Sequence, residues 1–153
     1  MKIALIISGQ PRFADVAYPH IYENILKLNN PDVFFHTWWS PEDIGKIQSG
    51  ASWTQSNSDI FVENFPEKIL KLYDPKYFNI EPQKQDLSLS KKYWSEYPPV
   101  NGENLAFVSH SMFYSMHQAM ELCSKYEEAN NILYDCIVRI RFDSGILSPV
   151  DFE

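Results

Sequence analysis

The chain has 153 residues, of which 44% are apolar and 15% aromatic, and this is enough apolar material for one packed core of ordinary domain size. Its 13 basic and 20 acidic side chains give a net charge of -7, which argues against a broad face for nucleic-acid phosphates, so any anion site must be local. No apolar run approaches the ~20 residues that span a bilayer, and the run at residues 2–7 is too short for a signal sequence. We therefore expect a cytoplasmic protein without a transmembrane segment.

The two cysteines lie far apart in the sequence and in different patterns. Cys123 falls in an apolar helix pattern and Cys136 in an apolar strand pattern, without the Cys-x-x-Cys spacing of metal or redox sites. Free buried thiols are the usual state of intracellular cysteine. The sequence therefore predicts two buried thiols and no disulfide.

The first part of the chain predicts a strand, a helix and a second strand. Residues 2–7 form an unbroken apolar run closed by Ser-Gly-Gln-Pro, which is typical of a central parallel strand buried on both faces. Apolar residues at helical spacing follow between 18 and 28 and stop at Asn-Asn-Pro. Residues 32–38 form the second strand, and the length of the crossover suits parallel pairing.

The rest of the chain predicts two more strands and a long helix. A short helix ends near Asp74, and residues 76–81 form the third strand. Apolar residues at steps of three and four predict a helix over about 103–128 that covers one sheet face, and residues 134–143 form the fourth strand.

Two segments without clear period predict long loops, at 40–62 and 82–102. A structureless connection as long as the first is usually a binding loop or disordered, and we expect a mobile loop there. Neither has the character of a domain linker. Together the predicted elements form a single α/β domain over residues 1–153, with a mainly parallel sheet of about four strands and helices on both faces.

The candidate site lies where the carboxyl ends of the strands meet, because open α/β sheets bind ligands there. Six candidate residues close the first two strands: Ser8, Gly9, Gln10, Arg12, His36 and Trp38. Gly9 either lets the backbone approach a nucleotide or is a plain turn residue. His36 and Trp38 are either ligand contacts or structural residues, the histidine hydrogen-bonded and the tryptophan packed under a loop.

The fourth strand adds two arginines and an aspartate at alternate positions. Because side chains alternate along a strand, Arg139, Arg141 and Asp143 are predicted to share one face of the sheet, and we expect that face to be buried. Leaving a buried charge unpaired costs about 3–5 kcal/mol, so the arginines need anions. Either they bridge to carboxylates such as Asp32 or Glu81 in a purely structural role, or they bind a ligand phosphate or carboxylate, which suits the guanidinium fork.

Four ordered blocks of the sequence resemble a known family. They are residues 2–13 (KIALIISGQPRF), 32–38 (DVFFHTW), 72–76 (LYDPK) and 134–143 (YDCIVRIRFD). Together they are similar to the N-terminal half of bacterial and viral glycosyltransferases linked with polysaccharide or lipopolysaccharide synthesis. The similarity spans nearly the whole chain, and it implies a Rossmann-like, GT-A-like nucleotide-diphospho-sugar domain.

The resemblance implies transfer of a sugar from a nucleotide-sugar donor to a glycan acceptor. It makes nine residues the nucleotide-sugar site: Ser8, Gly9, Gln10, Arg12, His36, Trp38, Arg139, Arg141 and Asp143. The family's Asp-x-Asp motif holds a divalent metal on the diphosphate, and its place here reads Arg141-Phe142-Asp143. Asp143 is then the one metal ligand for Mn²⁺ or Mg²⁺, and Arg141 supplies part of the positive charge.

The same family places its acceptor pocket after that motif, and only residues 144–153 follow it here. The resemblance therefore implies the donor-binding half of a truncated or partnered transferase, with no catalytic residue assigned. A homo-oligomer partner is one way to complete such a site. The alternative is a non-catalytic module that binds a nucleotide or glycan, or assembles with another chain.

Overall fold

The computed structural model describes residues 1–46, 48, 60–84 and 102–152, with side chains in the last range described from 107 onward. Most of the predicted loop at 40–62 and nearly all of that at 82–102 lie outside these ranges, so both loops stay predictions. Of the first loop, Pro41–Asp43 form a single 3₁₀ turn that Ser40 caps by accepting a hydrogen bond from the Glu42 N–H.

The described residues form one sheet of four parallel strands. The strands are β1 (Ile3–Gly9), β2 (Asp32–Trp38), β3 (Tyr77–Glu81) and β4 (Cys136–Ile140), in the spatial order β3-β2-β1-β4. In this register Ile6 of β1 lies between Phe34 of β2 and Arg139 of β4. The predicted α/β class with a parallel sheet is therefore confirmed.

Helices cover both faces of this sheet. They are α1 (Ala14–Ile21), a π-helical turn (Tyr22–Leu26) and α2 (Lys27–Asn29), which run on from one another, then α3 (Phe65–Tyr73) and α4 (Gly102–Asn130). The segment from α1 to α2 packs with α3 on the face that carries Leu5 and Phe35. α4 packs through Ala119 and Cys123 on the opposite face, beside Ile6. None of the helices in the described part of the chain is long and apolar enough to cross a membrane.

The handedness of the connections explains this distribution. β1, β2 and β3 follow one another across the sheet in one direction. From β3 the chain then returns past β2 and β1 to reach β4 at the other side of the sheet. Right-handed crossovers place helices on one face for the first direction and on the other face for the return. The reversal of direction lies between β1 and β4.

Among the described residues, β4 is an edge strand and no helix covers its face on the α4 side. α4 packs over β1, β2 and β3, and Ile137 of β4 is 44% exposed. Arg139 is exposed on the same face, and the Arg141 side chain is 45% exposed. The expectation of a buried face for the two arginines was therefore wrong, because the alternation of side chains defines the faces but not which strands a helix covers. Cys136, in this same strand, is a half-buried free thiol, and only Cys123 is fully buried.

The chain after β4 packs along the segment from α1 to α2. The Asn24 side-chain amide donates to the Ile146 carbonyl at 2.7 Å, and its backbone carbonyl accepts from the Val150 N–H at 2.9 Å. The Asn29 amide donates to the Val150 carbonyl at 2.7 Å and accepts from the Phe152 N–H at 3.1 Å. Ile146, Val150 and Phe152 of this tail pack against the larger core, so the tail is part of the folded unit.

Candidate functional site

Arg12 and Asp143 meet at the carboxyl edge of the sheet. Arg12 follows β1 and Asp143 follows β4, and these two strands are neighbours. The Nη2 atom of Arg12 lies 3.2 Å from Oδ2 of Asp143. The strand order reverses between β1 and β4, and in open α/β sheets ligands bind in the crevice at such a switch point. The contact therefore lies where the topology favours a ligand.

Arg141 binds the same carboxylate. Its Nε donates to Oδ1 of Asp143 and its Nη2 donates to Oδ2, both at 2.8 Å, which is the two-bond fork of arginine with a carboxylate. Two guanidinium cations thus share the Asp143 carboxylate. The side chains of Arg12 and Asp143 are 15% and 19% exposed. Arg141, with 45% of its side chain exposed, is the member of this group that solvent reaches most easily. Arg12, Arg141 and Asp143 are together called the arginine cluster.

The contacts of Asp143 decide how well it suits a metal. Both of its carboxylate oxygens accept hydrogen bonds from guanidinium groups. The described ranges contain no group of three or more His, Cys, Asp and Glu side chains placed to hold a metal ion. A divalent cation at Asp143 would displace one or both arginines and would lie beside their charge. The arrangement of the described residues around Asp143 therefore does not fit Mn²⁺ or Mg²⁺.

Gly9 ends β1 in a conformation that favours glycine. Its φ is +112°, in the region that side chains with a Cβ rarely adopt. A Cβ at this position would meet nothing within 4 Å, so the backbone dihedral and not lack of space selects glycine. The N–H of Gly9 donates to the Ser115 hydroxyl oxygen at 2.8 Å, and its carbonyl accepts from the Thr37 hydroxyl at 2.9 Å.

A buried chain of hydrogen bonds extends from this turn to the end of β3. His36 is fully buried, with Nδ1 at 2.8 Å from the Ser115 Oγ and Nε2 at 3.0 Å from Oε1 of Glu81. A carboxylate only accepts, so a neutral His36 donates from Nε2 to Glu81 and accepts at Nδ1 from the Ser115 hydroxyl. Ser115 is 0% exposed and its oxygen already accepts from Gly9, so it is a structural link and not an accessible nucleophile.

Burial keeps His36 in this neutral state. Burial lowers the pKa of His36, and the hydrogen bond and charge of Glu81 oppose that shift only in part. Burial of Glu81 acts to raise the pKa of its carboxyl, but hydrogen bonds from His36 and Tyr114 and the charge of Lys84 together lower it. A neutral histidine therefore lies beside an ionised glutamate.

Trp38 lies inside this region. It is 2% exposed, its ring meets His36 edge to face at 4.6 Å between centroids, and it stacks on Tyr114 at 5.4 Å. The Lys84 ammonium lies 4.3 Å from the centre of the Tyr114 ring on the outer side. Trp38 is therefore packed against α4; most of the loop that the packing alternative placed over it lies outside the described residues.

The structure brings together some of the predicted site residues and separates others. Arg12, Arg141 and Asp143 are in contact, and Gly9 and His36 are joined through Ser115. Ser8 is buried, Gln10 is half-buried and Arg139 is exposed on the open face of β4. Sequence reasoning did not assign three residues of the hydrogen-bonded chain: Thr37, Tyr114 and Ser115. It offered Glu81 only as a partner for the arginines, whereas Glu81 binds His36. A serine in the apolar stripe of a long helix was a usable signal, since a buried hydroxyl requires a partner.

Comparison of the chain with family models, with curated proteins and with solved structures gives no match. What the chain does is therefore inferred from its own residues and their geometry.

Proposed function

We propose that this chain is the donor-binding half of a glycosyltransferase, which binds a nucleotide sugar at the carboxyl edge of its sheet for transfer to a glycan acceptor. The main observation in support is the arginine cluster at the switch point between β1 and β4. The strand order β3-β2-β1-β4 also matches the first four strands of the Rossmann order 3-2-1-4-5-6, which supports the GT-A-like assignment. The free thiols agree with a cytoplasmic location.

The chemistry of sugar transfer matches an arginine pair. When the sugar leaves its donor, negative charge develops on the departing nucleoside diphosphate. Cations held in place before the reaction stabilise such charge without having to reorganise. The shared carboxylate of Asp143 orients both guanidinium groups, and the planar fork of arginine suits phosphate oxygens. The arginine cluster would therefore bind the diphosphate, with the nucleoside along Gly9 and Gln10.

The first experiment is calorimetric titration of the protein with UDP, GDP, CMP and their sugars. For the nucleotide that binds best, Arg141→Gln should weaken binding about ten- to a hundredfold, since a charge-assisted hydrogen bond contributes about 1.5–3 kcal/mol. The matched control is Lys27→Gln, which removes one exposed positive charge from α2 at the opposite edge of the sheet. Its affinity should stay within about twofold of the parent. The proposal is refuted if none of the nucleotides binds, or if the two variants lose affinity equally.

The alternative function, a non-catalytic binding or assembly module, is supported by a different observation. The open face of β4 leaves Ile137 44% exposed, and Leu133 just before the strand is 79% exposed. Apolar surface at a sheet edge recruits partners, and a second copy of the chain is one candidate. Donor turnover separates the two functions: hydrolysis or transfer by this chain, alone or with a partner that completes the acceptor side, excludes the module, and assembly without any nucleotide binding supports it.

A further inference from the structure

The two peptide groups of Gly9 are held by side chains from two different elements. Ser115 of α4 accepts from the N–H of Gly9 at 2.8 Å, and Thr37 of β2 donates to its carbonyl at 2.9 Å. Ser115 and Thr37 are both 0% exposed. These side chains therefore hold the end of β1 from inside the protein, where solvent does not compete for the hydrogen bonds.

Packing alone does not require these hydroxyl groups. Ala119, one helical turn after Ser115, is also 0% exposed and fills the same stripe of α4 with a methyl group. Burying a hydroxyl costs about 1–3 kcal/mol unless it is hydrogen-bonded, so an apolar residue is the simpler choice for a core position. What Ser115 adds is a fixed partner for Gly9, supported in turn by His36 at 2.8 Å.

These bonds set the direction in which the chain leaves the sheet. In a planar trans peptide the C=O and N–H groups point in opposite directions. The hydrogen bond from Thr37 to the Gly9 carbonyl therefore fixes the orientation of the peptide group that joins Gly9 to Gln10, with its carbonyl toward β2. The ring of Pro11 restricts the next step of the backbone. Arg12 comes directly after Pro11, and its Nη2 atom lies 3.2 Å from Oδ2 of Asp143, on the β4 side of β1.

We propose that Thr37 and Ser115 are positioning residues of the donor site, which hold the Gly9 turn so that Arg12 stands beside Asp143 ready for the diphosphate. This inference rests on the proposed function. Thr37 and Ser115 touch no donor atom; they act through the turn and through Arg12. Their loss should therefore weaken nucleotide binding beyond what lost stability explains.

The test compares Thr37→Val, which keeps the shape of the side chain but removes the hydroxyl, with Thr37→Ser, which keeps the hydroxyl. The probe is UDP or GDP, whichever the parent protein binds more tightly, titrated at a temperature where denaturation curves show every variant folded. Thr37→Val should weaken binding at least about fivefold, and Thr37→Ser should stay within about twofold. Ser115→Ala should follow Thr37→Val, and it replaces that variant if Thr37→Val does not fold.

The control is Tyr134→Phe. It removes the hydrogen bond from the Tyr134 hydroxyl to Asp32 at 2.7 Å, at the opposite edge of the sheet, and should lower stability without changing the dissociation constant. A double-mutant cycle with Arg12→Gln adds a second readout: if Thr37 acts through Arg12, Thr37→Val should cost little further affinity once Arg12 is replaced.

Three results are informative. Equal affinities of Thr37→Val and the parent overturn the positioning role and leave the proposed function standing. Strictly additive losses in the cycle also overturn it, because they show that Thr37 does not work through Arg12. A parent protein that binds no nucleotide at all removes the proposed function, and the positioning role with it.

Discussion

At the scale of single residues, Tyr73 is buried without a hydrogen bond. It is 3% exposed, and its hydroxyl has no partner among the described residues. Burial raises the pKa of Tyr73 far above its ordinary value, as expected for a phenol in apolar surroundings. Its neighbour Tyr18 packs edge to face at 5.0 Å, but the Tyr18 hydroxyl donates to the Leu72 carbonyl at 2.8 Å. Two tyrosines whose rings are in contact thus differ in whether the hydroxyl group forms a hydrogen bond among the described residues.

This difference predicts opposite effects of the same substitution. Tyr73→Phe should raise the free energy of unfolding by about 1 kcal/mol, because it removes a buried polar atom that has no partner. Tyr18→Phe should lower it by about 1 kcal/mol, because it leaves the Leu72 carbonyl without its donor. Urea denaturation of the two variants measures both changes. A loss of stability in Tyr73→Phe would show that its hydroxyl has a partner, such as a buried water.

At the scale of elements, the segment from α1 to α2 and the tail after β4 act as one unit. Asn29 and Asn130 each lie at a helix end, and each donates to the carbonyl four residues earlier, at 2.9 and 2.8 Å. Only Asn29 also binds the tail, through Val150 and Phe152. The two asparagines therefore form a matched pair that isolates the contribution of the tail.

We expect Asn29→Ala to cost about 2 kcal/mol more than Asn130→Ala, since each of the two additional hydrogen bonds contributes about 1 kcal/mol. Denaturant unfolding gives both free energies. Limited proteolysis should at the same time show faster cleavage of the tail in Asn29→Ala. Equal costs for the two variants would mean that the tail packs without help from Asn29.

Elements marked by local pattern were predictable from the sequence. β2 occupies the predicted 32–38, and α3 ends at Tyr73, next to the predicted end at Asp74. β4 is shorter than the predicted 134–143, because the chain turns after Ile140, where the Arg141 N–H donates to the Ser144 hydroxyl. That turn lets Arg141 close its fork on Asp143, whereas an extended strand would hold the two side chains about 7 Å apart.

The contacts that join distant parts of the chain were not predictable. Ser115 and His36 are 79 positions apart, and only the packing of α4 across β2 brings them together. The exposure of Arg139 likewise follows from the path of α4 over the other strands. Residue patterns indicate which side chains share a face, but the partner of each face is a property of the whole fold.

At the scale of the whole molecule, the net charge and the location of the arginine cluster act together. A chain with a net charge of -7 repels phosphate over most of its surface, so a site for a diphosphate needs local cations. The described structure places two guanidinium groups at the carboxyl ends of β1 and β4, the neighbouring strands between which the strand order reverses. Both carboxylate oxygens of Asp143 accept hydrogen bonds from those groups. The central claim is that arginines, and not a divalent metal, compensate the charge of the donor's diphosphate.

The most direct measurement is calorimetry of the best-binding nucleoside diphosphate in the presence of EDTA and, separately, of Mn²⁺ or Mg²⁺. The proposed site predicts dissociation constants that agree within about threefold in all three conditions and that rise steeply with salt, because the contact is ionic. Arg12→Gln and Arg141→Gln should each abolish most of the binding in EDTA. Binding that appears only with Mn²⁺ or Mg²⁺, and that Asp143→Asn removes, would contradict the claim and show that the metal displaces the arginines from Asp143.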